Sequence, residues 1–246
     1  MDLGLDGKLC IVNGGTRGIG AATLRMLSQE GARVRSVARR DADVELDVTA
    51  PDAPERLLAA VGEAPWALVN GAGGSRARPL DEVPDEDWQR QWELHVMGPM
   101  RLMRGLAPRM ADAGGGRIVN VCSSSGKRPS QRLDASYSVT KAAQLSLSRV
   151  FADAWAGKGV LVNAVAPGPV SGPAWEEQGG LADQLAARAG STRDEVLAAA
   201  AAKQPIGRMG TPAEIAAAIV FLCSTHASNV AGVAWSVDGG SVPTIV

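Results

Sequence analysis

Residues 13–20 read NGGTRGIG, Asn13-Gly14-Gly15-Thr16-Arg17-Gly18-Ile19-Gly20, and lie between the apolar run LCIV (9–12) and AATLRMLSQ (21–29). In the second flank Leu24 and Leu27 have helical spacing. A strand that turns through Gly14, Gly18 and Gly20 into a helix brings bare backbone N–H groups and the positive end of the helix dipole to one point. Such a point suits a phosphate. Glycines also punctuate ordinary turns, so the stretch alone leaves both readings open and the rest of the chain decides.

The chain has 246 residues, 46% of them hydrophobic, enough for a large core, and α/β folds of this length often form one domain. We therefore expect one dinucleotide-binding domain over 1–246. With 25 basic and 26 acidic residues and a net charge of -1, there is no electrostatic reason to expect nucleic acid or an anionic membrane as partner. Cys10, Cys122 and Cys223 are widely spaced in apolar segments, which fits reduced, packed thiols and a cytoplasmic location better than disulfides or a metal site. No run reaches the roughly 18 apolar residues of a membrane helix, and MDLGLDGKL lacks the basic and apolar regions of a signal peptide.

Seven short runs read as strands: LCIVNG, RVRSVA, VELDV, WALVNG, RIVNVCS, VLVNAVA and VAWSVDG. Most are separated by stretches of helical length, such as 85–111, 135–156 and 212–224, the rhythm of parallel βαβ units. A doubly wound, Rossmann-type α/β fold with a seven-stranded parallel sheet and helices on both faces follows. RRDAD (39–43) breaks the rhythm, because it is too short for a helix: either it is a bare loop or one strand is misassigned. The alanine-rich 198–203 consists of strong helix formers.

In such sheets ligands bind beyond the carboxyl ends of the strands. There the chain delivers the glycine loop, ARR, LDV, VNGAGG, VCSSSG and NAVAPGPV. Downstream, YSVTK places Tyr137, the only tyrosine, and Lys141 four residues apart on one helical face. A nearby ammonium stabilises a phenolate and lowers its pKa from about 10, which makes the phenol useful in acid–base chemistry. Standing alone, the pair fits an ordinary amphipathic helix better than a catalytic site.

Together NGGTRGIG, NGAG (70–73), a serine-ended fifth strand, YSVTK, VNAVAPGPV (162–170) and VDGG (237–240) resemble the short-chain dehydrogenase/reductase family over nearly the whole chain, in particular its 3-oxoacyl-acyl-carrier-protein reductase-like members. The resemblance implies hydride transfer between a nicotinamide and a carbonyl or secondary alcohol carbon. It makes Tyr137 the proton donor or base, with Lys141 lowering its pKa and holding the nicotinamide ribose. The serine that bonds the substrate oxygen is Ser123 by alignment of the strand and Ser124 by counting back from Tyr137; we take Ser123. Cofactor contacts carried over are Gly14, Thr16, Arg17, Gly18, Ile19 and Gly20 of the loop, and Arg39. They also include Asp47 and Val48, Asn70, Ala72 and Gly73, Tyr137 and Lys141, and Pro167, Gly168 and Val170. The second strand ends in Ala38 rather than a carboxylate, and Arg39 with Arg17 could fork a 2'-phosphate, so NADP(H) is favoured and NAD(H) remains possible.

Three positions depart from the family. Asn13 stands for a threonine, and Gly172 for a threonine that contacts nicotinamide. His95 in LHVMGP stands for an asparagine that supports a water and proton relay. Imidazole could change charge near its ordinary pKa of about 6.5, so we expect an inflection of turnover between pH 6 and 7 if His95 serves the relay, and none if it is a packed histidine. Residues 171–204 are expected to cover the substrate, with Trp175 at the pocket. Arg76, Arg78, Lys127, Arg128 and Arg132 near the mouth could attract an anionic or carrier-bound substrate. The leading expectation is an NADP(H)-dependent reductase of a ketone or 3-oxoacyl thioester. An alcohol or dihydrodiol dehydrogenase is the alternative, and a cofactor-binding partner or sensor without chemistry is the alternative of another class. Family analogy adds a homotetramer or homodimer built through the helices near 85 and 135 and the C-terminal stretch.

Overall fold

A computed structural model describes residues 2–130 and 133–243. Arg132, expected at the mouth of the site, and the final residues 244–246 lie outside the described residues. Seven strands form one parallel sheet: β1 Leu9–Asn13, β2 Arg33–Ala38, β3 Val44–Glu45, β4 Ala67–Asn70, β5 Gly116–Val121, β6 Val160–Pro167 and β7 Ala234–Val237, in the order β3-β2-β1-β4-β5-β6-β7. The order reverses between β1 and β4, so the carboxyl ends of β1 and β4 flank a crevice where a ligand of such a sheet sits.

Helices α1 Gly18–Gln29, α2 Ala53–Val61, α3 Asp85–Trp92, α4 Gly98–Asp112, α5 Ser124–Lys127, α6 Ala135–Trp155, α7 Pro173–Glu176, α8 Leu181–Ala189, α9 Arg193–Ala202 and α10 Pro212–Cys223 complete the layers. All five side chains of β1 are buried, and their alternation divides the core. Leu9 and Ile11 pack with Leu57, Leu102, Leu106 and Ala152 on one face. Cys10 and Val12 pack with Leu27, Ile215 and Ile219 on the other.

The short stretch after β2 is a bare loop. β3 pairs in parallel with β2 through only Val37–Val44 and Ala38–Glu45, so no helical crossover is required at this edge. Asp43 closes the loop by accepting from Ser36 N and Oγ at 2.8 and 2.7 Å, and Asp41 turns it in the left-handed region at φ 56°. Residues 85–111, read as one helix, are α3 and α4 joined by a π turn, Glu93–Met97. Pro99 lacks the N–H that an α register would offer to the His95 carbonyl. The wider turn instead lets Gly98 N–H reach Glu93 O, five residues back.

Candidate active site

Gly14 and Gly20, two of the four glycines in NGGTRGIG, are fixed by the protein itself. A Cβ on Gly14, at φ 76°, would lie 2.6 Å from Ala72 N, and one on Gly20 would lie 2.1 Å from Gly14 O. Those contacts hold the loop against the segment after β4, where Gly71 N–H donates to Asn13 O at 2.9 Å. Gly18 is different: at φ 54° its Cβ would meet nothing within 4 Å. Open space thus stands before the first turn of α1, whose N-cap residue Arg17 supplies no side-chain bond to the helix N–H groups. That combination fits the pyrophosphate of a dinucleotide. Thr16 is exposed beside it, and Ile19 packs against the core.

At the end of β5, Ser123 adopts extended backbone and caps α5, its Oγ accepting from Ser125 N–H at 3.1 Å. The same hydroxyl is a hydrogen-bond partner of the Tyr137 phenol, which arrives on the first turn of α6. Asp134 starts that helix by accepting from Ser136 N–H at 2.9 Å. One turn further on, buried Lys141 donates from Nζ to Val121 O at 2.8 Å and to Gln144 Oε1 at 2.9 Å. Ser123, Tyr137 and Lys141 therefore meet as the sequence reading expects.

Their electrostatics differ from that reading. Burial pushes the Tyr137 phenol above its ordinary pKa of 10.0; the Ser123 bond pulls it down, and Cys122 adds to the rise. Lys141 does not reverse this, because its ammonium is tethered to Val121 O and Gln144 and lies 5.8 Å from the phenol ring centre. Burial lowers Lys141 itself to about 8, with the neighbouring Cys122 opposing the drop.

His95 sits in the π turn with no exposed surface. Its Nδ1 lies 3.0 Å from Thr140 Oγ1, whose own proton goes to Ser136 O at 2.8 Å or Tyr137 O at 3.1 Å. The hydroxyl must therefore accept, which puts the imidazole proton on Nδ1 and leaves Nε2 an acceptor without a partner among the described residues. A Cβ on Gly73 would lie 3.1 Å from that Nε2 and 3.5 Å from Lys141 Nζ, so both nitrogens border one gap over Gly73. The ring also meets Tyr137 edge-on, with centroids 5.4 Å apart. Burial first, and the Lys141 charge second, hold its pKa well below 6.5. Both causes favour the neutral ring and so weigh against the expected inflection between pH 6 and 7.

On the β2 side, Arg39 is exposed and its charge reaches Asp47, whose carboxylate accepts from Thr49 N and Oγ at 2.9 and 2.7 Å. Partial burial pushes Asp47 upward, yet the Thr49 bonds and Arg39 hold it below the usual carboxylate value. Val48 is buried next to it. The Asn70 side chain turns into the sheet and donates to Asn120 Oδ1 at 2.8 Å, while Ala72 and Gly73 follow in the loop. Past buried Pro167, Gly168 lies against Asp238, 2.9 Å from its carbonyl oxygen for an added Cβ, and Val170 bridges to Gly210. Gly172 caps α7 at φ 116°, a backbone conformation in which a threonine would be strained.

Segment 171–204 folds as α7, α8 and α9 and touches the rim at three points. Ala77 N–H donates to Gln184 Oε1 at 2.9 Å, Arg188 pairs with Glu82 at 3.5 Å, and Glu177 pairs with Arg17 at 2.9 Å. Trp175 is partly buried in it. The cationic mouth is largely committed elsewhere. Lys127 Nζ donates to Ala234 O and Ser236 Oγ of β7 at 2.6 and 2.8 Å, and Arg78 pairs with buried Asp87. Arg128 reaches Ser241 O at 3.4 Å, and Arg76 stays exposed. Gln144 is a site residue that the sequence reading missed; a glutamine one turn after a lysine carries no motif. No cluster able to hold a metal ion, and no helix long and apolar enough to cross a membrane, occurs among the described residues.

A family model described as enoyl-(acyl carrier protein) reductase matches residues 14–242. The chain is similar to cis-4-hydroxycyclohexanecarboxylate dehydrogenase of Sinomonas cyclohexanicum, 36% identical and covering 95% of this chain and 96% of that one. It is 31% identical to the 3-oxoacyl-[acyl-carrier-protein] reductase of Vibrio cholerae, over 97% and 98% of the two chains. The crystal structure of L-sorbose reductase from Gluconobacter frateurii, complexed with NADPH and L-sorbose, superposes with a TM-score of 0.90 at 33% identity over 100% of both chains.

Proposed function

The chain belongs to the short-chain dehydrogenase/reductase family, and from that premise we propose that it is an NADP(H)-dependent reductase of a ketone or 3-oxoacyl thioester. The observation that carries this reading is the meeting of Ser123, Tyr137 and Lys141, in the same fold that leaves open space before Gly18. The nicotinamide cofactor, when bound, supplies hydride for carbonyl reduction or accepts it in alcohol oxidation. Gly14, Thr16, Arg17, Gly18, Ile19 and Gly20 would hold its pyrophosphate end, with Arg17 and Arg39 for the 2'-phosphate and Asp47 and Val48 for the adenine. Asn70, Ala72, Gly73, Pro167, Gly168 and Val170 would line the nicotinamide side. The NADPH in the sorbose reductase complex and the lack of a carboxylate at Ala38 both favour the phosphorylated cofactor over NAD(H).

Ser123 Oγ bonds the substrate oxygen, and Tyr137 Oη gives that oxygen a proton in reduction or removes it in oxidation. Burial favours the protonated phenol, the form that donates in reduction. Lys141 holds the cofactor ribose and returns a proton to Tyr137, with His95 Nε2 facing the same gap as an acceptor. Residues 171–204 act as the substrate cover within one domain. Exposed Trp92 on α3 and Val139 and Val150 on α6 favour assembly as a homotetramer or homodimer through these helices.

The test incubates the protein with NADPH and a panel of ketones and 3-oxoacyl thioesters, following absorbance of the reduced cofactor. We expect turnover, and a loss of at least about a hundredfold in Tyr137→Phe with NADPH affinity unchanged. Binding of NADPH without turnover of any compound would favour a cofactor-binding partner or sensor instead.

A further inference from the structure

The ammonium of Lys141 can donate three hydrogen bonds and accept none, so the amide of Gln144 can meet it only through oxygen. The contact is 2.9 Å, Lys141 is 3% exposed and Gln144 1%. With Val121 O as the second acceptor at 2.8 Å, two of the three ammonium protons are committed. The third is left for the gap over Gly73, which His95 Nε2 borders. On its other side the amide is incompletely paired: Gln144 Nε2 has no partner among the described residues. An apolar side chain would fill this interior position without burying an unpaired amide. Burying the amide is therefore a cost to the core, and the contact that offsets it is the one with Lys141.

The backbone around Gln144 is also tied down by polar groups. Ser148 Oγ donates to Gln144 O at 2.7 Å and accepts from Asn120 Nδ2 at 2.8 Å, and Asn120 Oδ1 accepts from Asn70 Nδ2 at 2.8 Å. A buried polar chain thus runs from α6 through β5 to β4, ending at the strand that leads into the loop holding Gly73.

From this geometry we infer that Gln144 is a positioning residue for Lys141: it fixes the direction of the ammonium and stabilises its charged form. The inference rests on the reading of Lys141 as the partner of Tyr137 and deepens it. Other groups facing the ammonium are the Cys122 thiol at the end of β5, His95 on the π turn and Tyr137 on α6. Burial keeps the thiol protonated, its pKa raised to about 12, and keeps His95 neutral, so neither supplies a counter-charge near pH 7. Gln144 and the Val121 carbonyl are then the two groups that accept from the buried cation.

The test reads Lys141 directly. The chain has five lysines, at 8, 127, 141, 158 and 203, so protein carrying 13C at lysine Cε gives a resolvable spectrum, with Lys141→Met assigning its signal. Removing the acceptor in Gln144→Leu should move the Lys141 titration to lower pH by about one unit, a tenfold change in proton affinity. Gln144→Glu, which places a carboxylate there, should move it higher. No movement in either variant, with both folded by circular dichroism, overturns the inference. Because this measurement needs neither cofactor nor substrate, it separates from the catalytic reading. A shifted titration with an unshifted pH–rate profile would retire the role of Lys141 in turnover and leave Gln144 as its anchor.

Discussion

His95 owes its state to two neighbours. Thr140 fixes the proton on Nδ1, and burial together with the Lys141 charge opposes a second proton. The sign is definite: its pKa is lower in the folded chain, so the unfolded chain binds the extra proton and stability falls as pH drops below about 6.5. Turnover should show no inflection from His95 between pH 6 and 8. His95→Asn should lose less stability than the parent between pH 6.5 and 5, measured by urea unfolding at each pH. An inflection near 6.5 that disappears in the variant would contradict the buried, neutral ring. Reading a histidine as a switch from its ordinary pKa left burial out, because the sequence does not reveal that position 95 is enclosed. Tyr137 and Lys141 were legible for the opposite reason: a spacing of four on a helix determines proximity before any tertiary contact is known. The direction of the Tyr137 shift was not legible, since it is set first by burial of the phenol, which the sequence does not reveal.

Seven strands and the long helices were readable from apolar runs and their separations, because a sheet covered on both faces imposes continuous burial on its central strands. The π turn was not, since it comes from one missing N–H at Pro99 inside a pattern that otherwise reads as one helix. Nor did charge in loops disclose its partners: Lys127 reaches β7 across more than a hundred residues. The pairing of Arg17 with Glu177 is of the same kind and joins the glycine loop to the segment before α8. Both side chains are more than half exposed, and such pairs stabilise weakly. If Arg17 recognises a 2'-phosphate, however, Glu177 competes for the same guanidinium. Glu177→Gln is therefore expected to tighten NADPH binding by up to about fivefold while leaving NADH binding unchanged, by fluorescence titration. Equal tightening for both cofactors would remove Arg17 from phosphate recognition.

The three cysteines bring the whole core into one measurement. They are free and buried, Cys10 on β1 and Cys223 at the end of α10 in the same core cluster and Cys122 just past β5, as their apolar settings lead one to expect. Burial raises the Cys10 and Cys122 thiols from 9.0 to about 12 and pushes Cys223 well above 9.0. In the unfolded chain they ionise near 9, while in the folded chain they hold their protons. Their contribution is therefore intact below pH 9 and is lost as pH rises toward 12, by about 1.4 kcal/mol per pH unit for each thiol. Lys141 acts in the opposite direction, since its lowered value of about 8 makes folding easier as pH rises toward 10.5. Above that its effect is complete, and Tyr137, raised above 10.0, adds to the loss. Above pH 9 all three thiols therefore draw stability in the same direction, and once the Lys141 gain is complete near pH 10.5 nothing among these groups offsets them. The chain is thus expected to lose stability as pH rises above about 10. In Cys10→Ala/Cys223→Ala the dependence of unfolding free energy on pH should be shallower by about two protons, whatever the cavities do to stability at pH 7. Denaturant unfolding at intervals from pH 8 to 11 measures that slope. An unchanged slope would mean that these thiols ionise without opening the core, and that the sheet is less closed around them than its packing implies.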